Sequence, residues 1–311
     1  MTCPQPALLL DLGNTRLKWH LVMGPHIRAQ GQGLARSVEG LSGTPGVLDT
    51  LDHALADLRL RAGPPLRLRV LGGAVGAPAV KGWLTDWLEQ HHQLSVTWLR
   101  SAPNIELNLP KAVVSLRQPY AEPERLGVDR WLAALGFLGL LARRQWAEIL
   151  QPADGTGRSR VALVSAGTAT VVDGLVVDQQ GSVIKGEMSG GFIYPGFETM
   201  RSSLAQQTAD LAGYVAAARD ESINADSFRD SIAAIGAGIS SAQVGAIDWL
   251  GPLDCILAHG GHAKDWLAAY SMRPVAGDPS PPSPPSPRLR VRALEAPDLV
   301  LTGLSLLAEF S

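Results

Sequence analysis

Apolar and polar positions at the start of the chain trace a strand, a turn and a second strand. In ALLLDLGNTRLKWHLV an apolar run ends at Asp11 and Gly13-Asn14-Thr15 forms a turn. The apolar pattern then resumes through Trp19 and Leu21, as expected for two short strands joined tightly. The figure returns in VALVSAGTATVVDGLVV, from Val161, with a run ending at Ser165, a turn at Gly167-Thr168 and a β-branched strand beyond it. Gly13 and Gly167 lie about half the chain apart, so the repeat reads either as a diverged duplication or as one chance match.

Between the two figures, LRLRVLGGAVG predicts a strand running into a Gly turn, and VKGWLTDWLEQHH a helix with Trp83 and Trp87 one turn apart. LGVDRWLAALGFLGLL, Leu126 to Leu141, predicts a buried helix. Its first turn nevertheless carries Asp129 and Arg130. In the second half, GGFIYPG reads as a Gly/Pro loop feeding a helix. A further helical run, the strand CILAHGG and a terminal helix DLVLTGLSLLAEF follow. Gln151–Arg160 reads as a polar loop and Gly277–Arg288 as an extended proline-rich insert. Strands alternating with helices predict an α/β architecture.

Composition narrows the partners. The 311 residues are 46% hydrophobic and 18% charged, enough for a packed core, and the net charge is -2. That charge makes no electrostatic case for nucleic acid or a membrane surface, and a small soluble substrate is the default. Two cysteines, Cys3 and Cys255, form no disulfide framework, which fits a reducing, cytoplasmic setting. The opening MTCPQPALLLDLGN has no basic segment and only a short apolar run, so neither a signal peptide nor a membrane span is expected.

No Walker loop, dinucleotide fingerprint, nucleophile elbow or protein-kinase signature occurs. The Gly turns remain. Such turns aim backbone N–H groups and short hydroxyls into one concavity that suits phosphate, with Asp11 placed to orient hydrated Mg²⁺ and Lys18 near the phosphates. A plain β-hairpin is the competing reading of either turn alone. Asp129 likewise has two readings: a first-turn acid stabilised by the helix dipole, or a carboxylate that accepts a proton from an alcohol, with Arg130 balancing charge near a transferring phosphoryl group. The His259 and His262 pair in HGGHA is a weak metal motif, with no third ligand close in sequence.

Taken together, DLGNTRLK (Asp11–Lys18), Tyr120 with Leu126-Gly-Val-Asp-Arg130, SAGTATVVD (Ser165–Asp173), GGFIYPG (Gly190–Gly196) and HGGHA resemble type III pantothenate kinases. Those enzymes belong to the acetate kinase/sugar kinase/Hsp70/actin superfamily, and the match looks nearest the Bvg accessory factor branch. The resemblance implies two duplicated ribonuclease H-like domains, drawn here at 1–126 and 127–311, with an interdomain nucleotide cleft. It also implies ATP-dependent phosphorylation of pantothenate to 4'-phosphopantothenate, toward coenzyme A, by a homodimer. Asp129 takes the role of proton acceptor. Tyr120, Gly127, Val128, Asp129, Arg130 and Ser231 match substrate-contacting positions. Asp11, Leu12, Gly13, Asn14, Thr15, Arg16, Leu17, Lys18 and Thr168 match ATP-binding ones.

The family's monovalent cation, K⁺ or NH₄⁺, is held by an Asp where this chain has Ser165, a neutral oxygen in place of a charged one. Ser231 stands where the family's substrate-contacting Thr is expected. A non-catalytic accessory protein on the same scaffold is the alternative from another class, and kinase action on a different small alcohol is a third reading.

Overall fold

A computed structural model of the chain describes residues 5–42, 46–62, 67–143, 150, 157–208, 210–218, 229–273 and 291–310. The chain divides into two compact units. The first comprises Met1–Ala147, Gln179–Glu187 and Asp298–Ser311, and the second Glu148–Asp178 and Met188–Pro297.

In the first unit, β1 (Pro6–Leu12), β2 (Arg16–Met23) and β3 (His26–Leu34) form an antiparallel meander. Helices α1 (Val38–Ser42) and α2 (Val47–Ala62) then lead to β4 (Arg69–Ala74), which lies parallel to β1. Helix α3 (Pro78–His92) connects β4 to β5 (Val96–Trp98), and the sheet order is β3-β2-β1-β4-β5. The central place of β1 follows from its sequence, because Leu8, Leu9 and Leu10 are all fully buried and only a strand covered on both faces accommodates that run. Pro78 starts α3 and Gln93, in the left-handed region at φ 58°, ends it. Trp83 and Trp87 stack along α3 with ring centroids 6.5 Å apart.

A hairpin of β6 (Asn104–Leu109) and β7 (Ala112–Arg117) precedes α4 (Val128–Ala142). Helix α4 belongs to the first unit, although the sequence partition at 126/127 assigns it to the second domain. The reason is packing: α4 is buried on nearly every face, and part of that cover comes from the C-terminal helix of the chain.

The second unit opens with β8 (Arg158–Ala166), β9 (Ala169–Gln180) and β10 (Val183–Pro195). Helices α5 (Phe197–Gln207), α6 (Ala212–Ala217) and α7 (Ser231–Gly245) follow, then β11 (Cys255–His259), α8 (Ala263–Ser271) and β12 (Arg292–Glu295). The chain ends in α9 (Leu299–Phe310), which returns to the first unit. The second sheet has seven strands in the order β12-β11-β8-β9-β10-β7-β6, with β8 and β9 antiparallel and both β8/β11 and β11/β12 parallel; without the β6–β7 hairpin its order is β12-β11-β8-β9-β10. Renumbered from its own first strand, this is the order of the first unit. The ribonuclease H-like arrangement therefore occurs twice, and the Gly13/Gly167 repeat marks a duplicated fold.

Three segments differ from the sequence expectations or fall outside the description. Residues 190–195, read as a loop, are the end of strand β10. A Cβ on Gly191 would lie 2.3 Å from the carbonyl oxygen of Val172, so the strand passes too close for any side chain there. Of the expected loop at 151–160, Arg158–Arg160 already pair with β9, and 151–156 lie outside the described residues. The proline-rich segment 277–288 also lies outside them.

Candidate active site

Strand β1 ends at the first Gly turn. The Gly13 N–H donates to the carbonyl of Arg16 at 3.0 Å, closing the turn between β1 and β2. The Leu12 carbonyl accepts from the N–H groups of Val75 and Gly76, just beyond β4. A Cβ on Gly76 would stand 2.6 Å from the Gly13 carbonyl oxygen, so only glycine lets the segment after β4 rest on the turn.

The second unit repeats this contact. Gly167 N–H donates to Ala169 at 3.0 Å, and the Ala166 carbonyl accepts from His262 N–H. A Cβ on Gly260, which has φ 101°, would lie 2.6 Å from the Ala166 carbonyl oxygen. Gly76 and Gly260 are therefore counterparts. Sequence reasoning found GGAVG and HGG separately without linking them; their shared signal is a glycine shortly after the fourth strand of each unit.

Asp11 and Lys18 are register partners across β1 and β2, so their side chains leave the same face. Lys18 does not pair with Asp11. Its Nζ lies 2.5 Å from Oδ2 of Asp298, at the start of α9. Burial pushes the Asp11 carboxyl up to about 8, and the charges of Asp298 and Asp129 add to that rise while Lys18 opposes it. Three carboxylates and one ammonium thus share a small region of the first unit.

Two small residues bring α4 to this place. Asp11 is level with Gly73 on the neighbouring parallel strand. Gly73 has no side chain, and Leu132 of α4 stands 2.8 Å from where a Cβ would be, with Val128 in ordinary contact. The first turn of α4, with Asp129, is thereby held beside the end of β1. The approach to α4 is fixed by the buried hydroxyl of Ser101, which donates to the carbonyls of Pro123 and Leu126. Asp129 is half-buried, and its Oδ1 accepts from the Arg130 N–H at 2.9 Å. The carboxylate folds back over Gly127, where a Cβ would lie 2.6 Å from Oδ1. Arg130, read from sequence as balancing charge near a phosphoryl group, is buried. Its Nη1 donates to the Tyr120 hydroxyl at 2.9 Å, and the guanidinium lies 5.7 Å from the centre of that ring.

The family model for type III pantothenate kinase matches residues 7–250. The chain belongs to the type III pantothenate kinase family. Among curated relatives, the Type III pantothenate kinase of Cupriavidus pinatubonensis is 33% identical over 276 residues, 82% of this chain and 88% of that one. The Nitrosococcus oceani enzyme of the same name is 29% identical over 302 residues, 97% of this chain and 93% of the other. Of the solved structures, the ethanolamine utilization protein EutJ from Carboxydothermus hydrogenoformans covers 99% of this chain and 90% of its own, at a TM-score of 0.45 and 10% identity. That likeness is too distant to carry an argument.

For a kinase family, the donor chemistry of the first unit suits Mg²⁺. The nearby groups, Asp11, Asp298 and Asp129, are carboxylates, hard oxygen donors; burial is the main cause that raises the Asp11 carboxyl, and the charges of Asp298 and Asp129 add to it. Among the described residues no group of three or more His, Cys, Asp or Glu side chains forms a metal cage. His259 and His262 belong to no group of three or more such side chains among the described residues, and His262 Nδ1 pairs with Asp265 at 2.8 Å.

In the second unit Thr168 sits exposed at the tip of the β8–β9 turn. Its carbonyl accepts from Gly196 N–H and Thr199 Oγ1, which tie the end of β10 and the start of α5 to the turn. Ser165, half-buried near the end of β8, is level with His259 on β11. Ser231 is exposed in the first turn of α7, where the preceding Asp230 caps the helix by accepting from Ala233 N–H at 3.0 Å.

Sequence reasoning missed Asp298. Its only signal was an Asp placed just before an apolar helical run, which predicts an N-cap and says nothing of a lysine 280 residues away.

Proposed function

We propose that the chain transfers the γ-phosphoryl group of ATP to the primary hydroxyl of pantothenate, giving 4'-phosphopantothenate and ADP in the first committed step toward coenzyme A. The observation that carries the reading is the closeness of Asp129 to Asp11.

In the proposed reaction the Asp129 carboxylate takes the hydroxyl proton as the oxygen attacks phosphorus. A new oxygen–phosphorus bond forms, and the bond to ADP breaks. Gly127 leaves room for that carboxylate, and the Arg130–Tyr120 pair shapes the pantothenate side with Val128; Ser231 is proposed as a substrate contact on the family resemblance alone. The residues from Asp11 to Lys18 hold the nucleotide phosphates, and Thr168, at the duplicated turn, is proposed as an ATP contact on the family resemblance alone. Asp11 would hold Mg²⁺, which supplies charge neutralisation on the phosphates. Little covalent chemistry is asked of the protein; positioning and charge do the work.

Ser165 is proposed as the remnant of a K⁺ or NH₄⁺ site. A homodimer in the cytoplasm is proposed on the family resemblance. No described helix is long and apolar enough to cross a membrane. The accessory-protein alternative gains nothing from the relatives, whose names are those of kinases.

The test is a coupled ADP-release assay with ATP, Mg²⁺ and pantothenate, run with and without K⁺ or NH₄⁺. Pantothenate-dependent turnover is expected. ATP binding without turnover under any cation would move the chain to the accessory reading or to another alcohol.

A further inference from the structure

Gln118 lies one residue beyond β7 and is 4% exposed. Its backbone N–H donates to the Pro103 carbonyl at 3.1 Å, one rung past the last pair of the β6–β7 hairpin. Its side chain reaches forward along the chain, and Oε1 accepts from the Tyr120 N–H at 2.8 Å. Pro119 stands between them, with a fixed φ and no N–H. The ring closed by the Gln118–Tyr120 bond therefore sets the direction in which the chain reaches Tyr120. The bond also fixes which way round the amide sits, since an N–H meets only its oxygen. Nε2 is then buried and has no hydrogen-bond partner among the described residues. A buried donor left unpaired bears its full desolvation cost, and an apolar side chain of similar size would fill the space without it. Packing does not account for the amide, whereas its acceptor oxygen has a definite use.

We propose that Gln118 is a positioning residue for the pantothenate side of the site: by holding the Tyr120 backbone it sets the Tyr120 hydroxyl and the Arg130 guanidinium in the arrangement that substrate meets. The inference rests on the reading that Tyr120 and Arg130 line the pantothenate site. The contacts run in sequence. Gln118 Oε1 holds the Tyr120 N–H, the Tyr120 hydroxyl accepts from Arg130 Nη1 at 2.9 Å, and the Arg130 N–H donates to Asp129 Oδ1 at 2.9 Å. Tyr120 is thus held at two ends, its backbone by Gln118 and its hydroxyl by the buried Arg130. Without the first hold the ring pivots about the second, and a misplacement of about 1 Å in a positioning group can cost as much as about 10²-fold. The Gly13 turn, read as the phosphate site, makes none of these contacts.

Two substitutions separate positioning from packing. Gln118→Met has nearly the same shape and only a weak acceptor, and it exchanges one unpaired donor, Nε2, for another, the Tyr120 N–H. Gln118→Asn is shorter and leaves a small void, but an asparagine oxygen reaches the N–H two residues on. Both proteins are melted, titrated calorimetrically with pantothenate and with Mg·ATP, and followed in the ADP-release assay. Gln118→Met is expected to melt with wild type and to bind pantothenate about tenfold more weakly, the scale of one hydrogen bond. Its pantothenate KM should rise by the same factor, with kcat within about threefold of wild type. Gln118→Asn is expected to melt lower, yet to bind pantothenate within about threefold of wild type. Mg·ATP affinity stays at the wild-type value in both.

Wild-type pantothenate affinity in Gln118→Met would overturn the inference. So would equal losses for pantothenate and Mg·ATP, or a Gln118→Met protein that melts far below wild type, since the amide would then serve the fold at large. A Gln118→Asn protein that binds pantothenate as weakly as Gln118→Met would overturn it as well, because the acceptor would not be what matters. A wild-type chain that binds Mg·ATP but no pantothenate would instead overturn the reading of the site, and this inference with it.

Discussion

Gly136 of α4 and Gly303 of α9 meet backbone to backbone. A Cβ on Gly136 would lie 2.1 Å from the Leu299 carbonyl oxygen, and one on Gly303 would lie at the same distance from that of Leu132. Neither obstacle is a flexible side-chain tip that could swing aside. Arg143 and Glu309, 2.6 Å apart, tie the far ends of the two helices. The crossing matters to the site because α4 carries Asp129 in its first turn and α9 starts beside Asp298. Gly303→Ala is expected to destabilise the protein by about 3 kcal/mol, the upper end of overpacking costs, since backbone must move. Denaturant melts check it; a variant within about 0.5 kcal/mol of wild type would mean that the helices separate freely.

Asp129→Asn is expected to fold as wild type and to lower kcat by about 10²- to 10⁴-fold, the usual share of a general base. Mg·ATP and pantothenate should still bind. Steady-state kinetics with calorimetry on the same sample decide it, and near wild-type turnover would remove Asp129 from the role of base.

The Asp11 carboxyl, raised to about 8 by burial and by the charges of Asp298 and Asp129, makes a signed prediction. The folded state binds this proton more tightly than the unfolded chain, whose aspartate titrates near 3.8. Stability from this group is therefore present in full at low pH. It falls as pH rises through that window toward about 8, and is level beyond. Asp11→Asn should flatten this slope and gain about 1–3 kcal/mol near pH 8, the scale of relieving one poorly compensated buried group, while losing Mg·ATP binding. Urea melts of both proteins from pH 5 to 8.5 test the sign. A steeper slope in the variant would contradict it.

Gln243 is fully buried and holds the second unit's turn region from behind. Its Oε1 accepts from Thr170 Oγ1 at 2.5 Å, and its Nε2 donates to the Pro195 carbonyl at 2.8 Å. Tyr194 and Trp266 both donate to its backbone carbonyl, and those contacts survive a side-chain change. Gln243→Leu leaves Thr170 and Pro195 without their partner and should cost about 2–4 kcal/mol. Protease sensitivity should rise near Pro195, measured by limited digestion with mass spectrometry. A variant as resistant as wild type would show that the network is dispensable.

Much of this protein follows from local sequence. Leu8 to Leu10 can only make a covered strand, the turns at Gly13 and Gly167 are written in Gly, Asn and Thr, and α4 is announced by its apolar run. The motif order pointed to the kinase family because turn chemistry and a helix-start acid are short-range features. Tertiary structure decided the rest. Whether Lys18 pairs with Asp11 or with Asp298 depends on where α9 returns, 280 residues later. The burial of Arg130 against Tyr120, the assignment of α4 to the first unit and the kinship of Gly76 with Gly260 depend equally on which backbones come close. Periodicity reports which face of an element is apolar; it does not report which distant element covers that face, and charge pairing is settled only once that cover is in place.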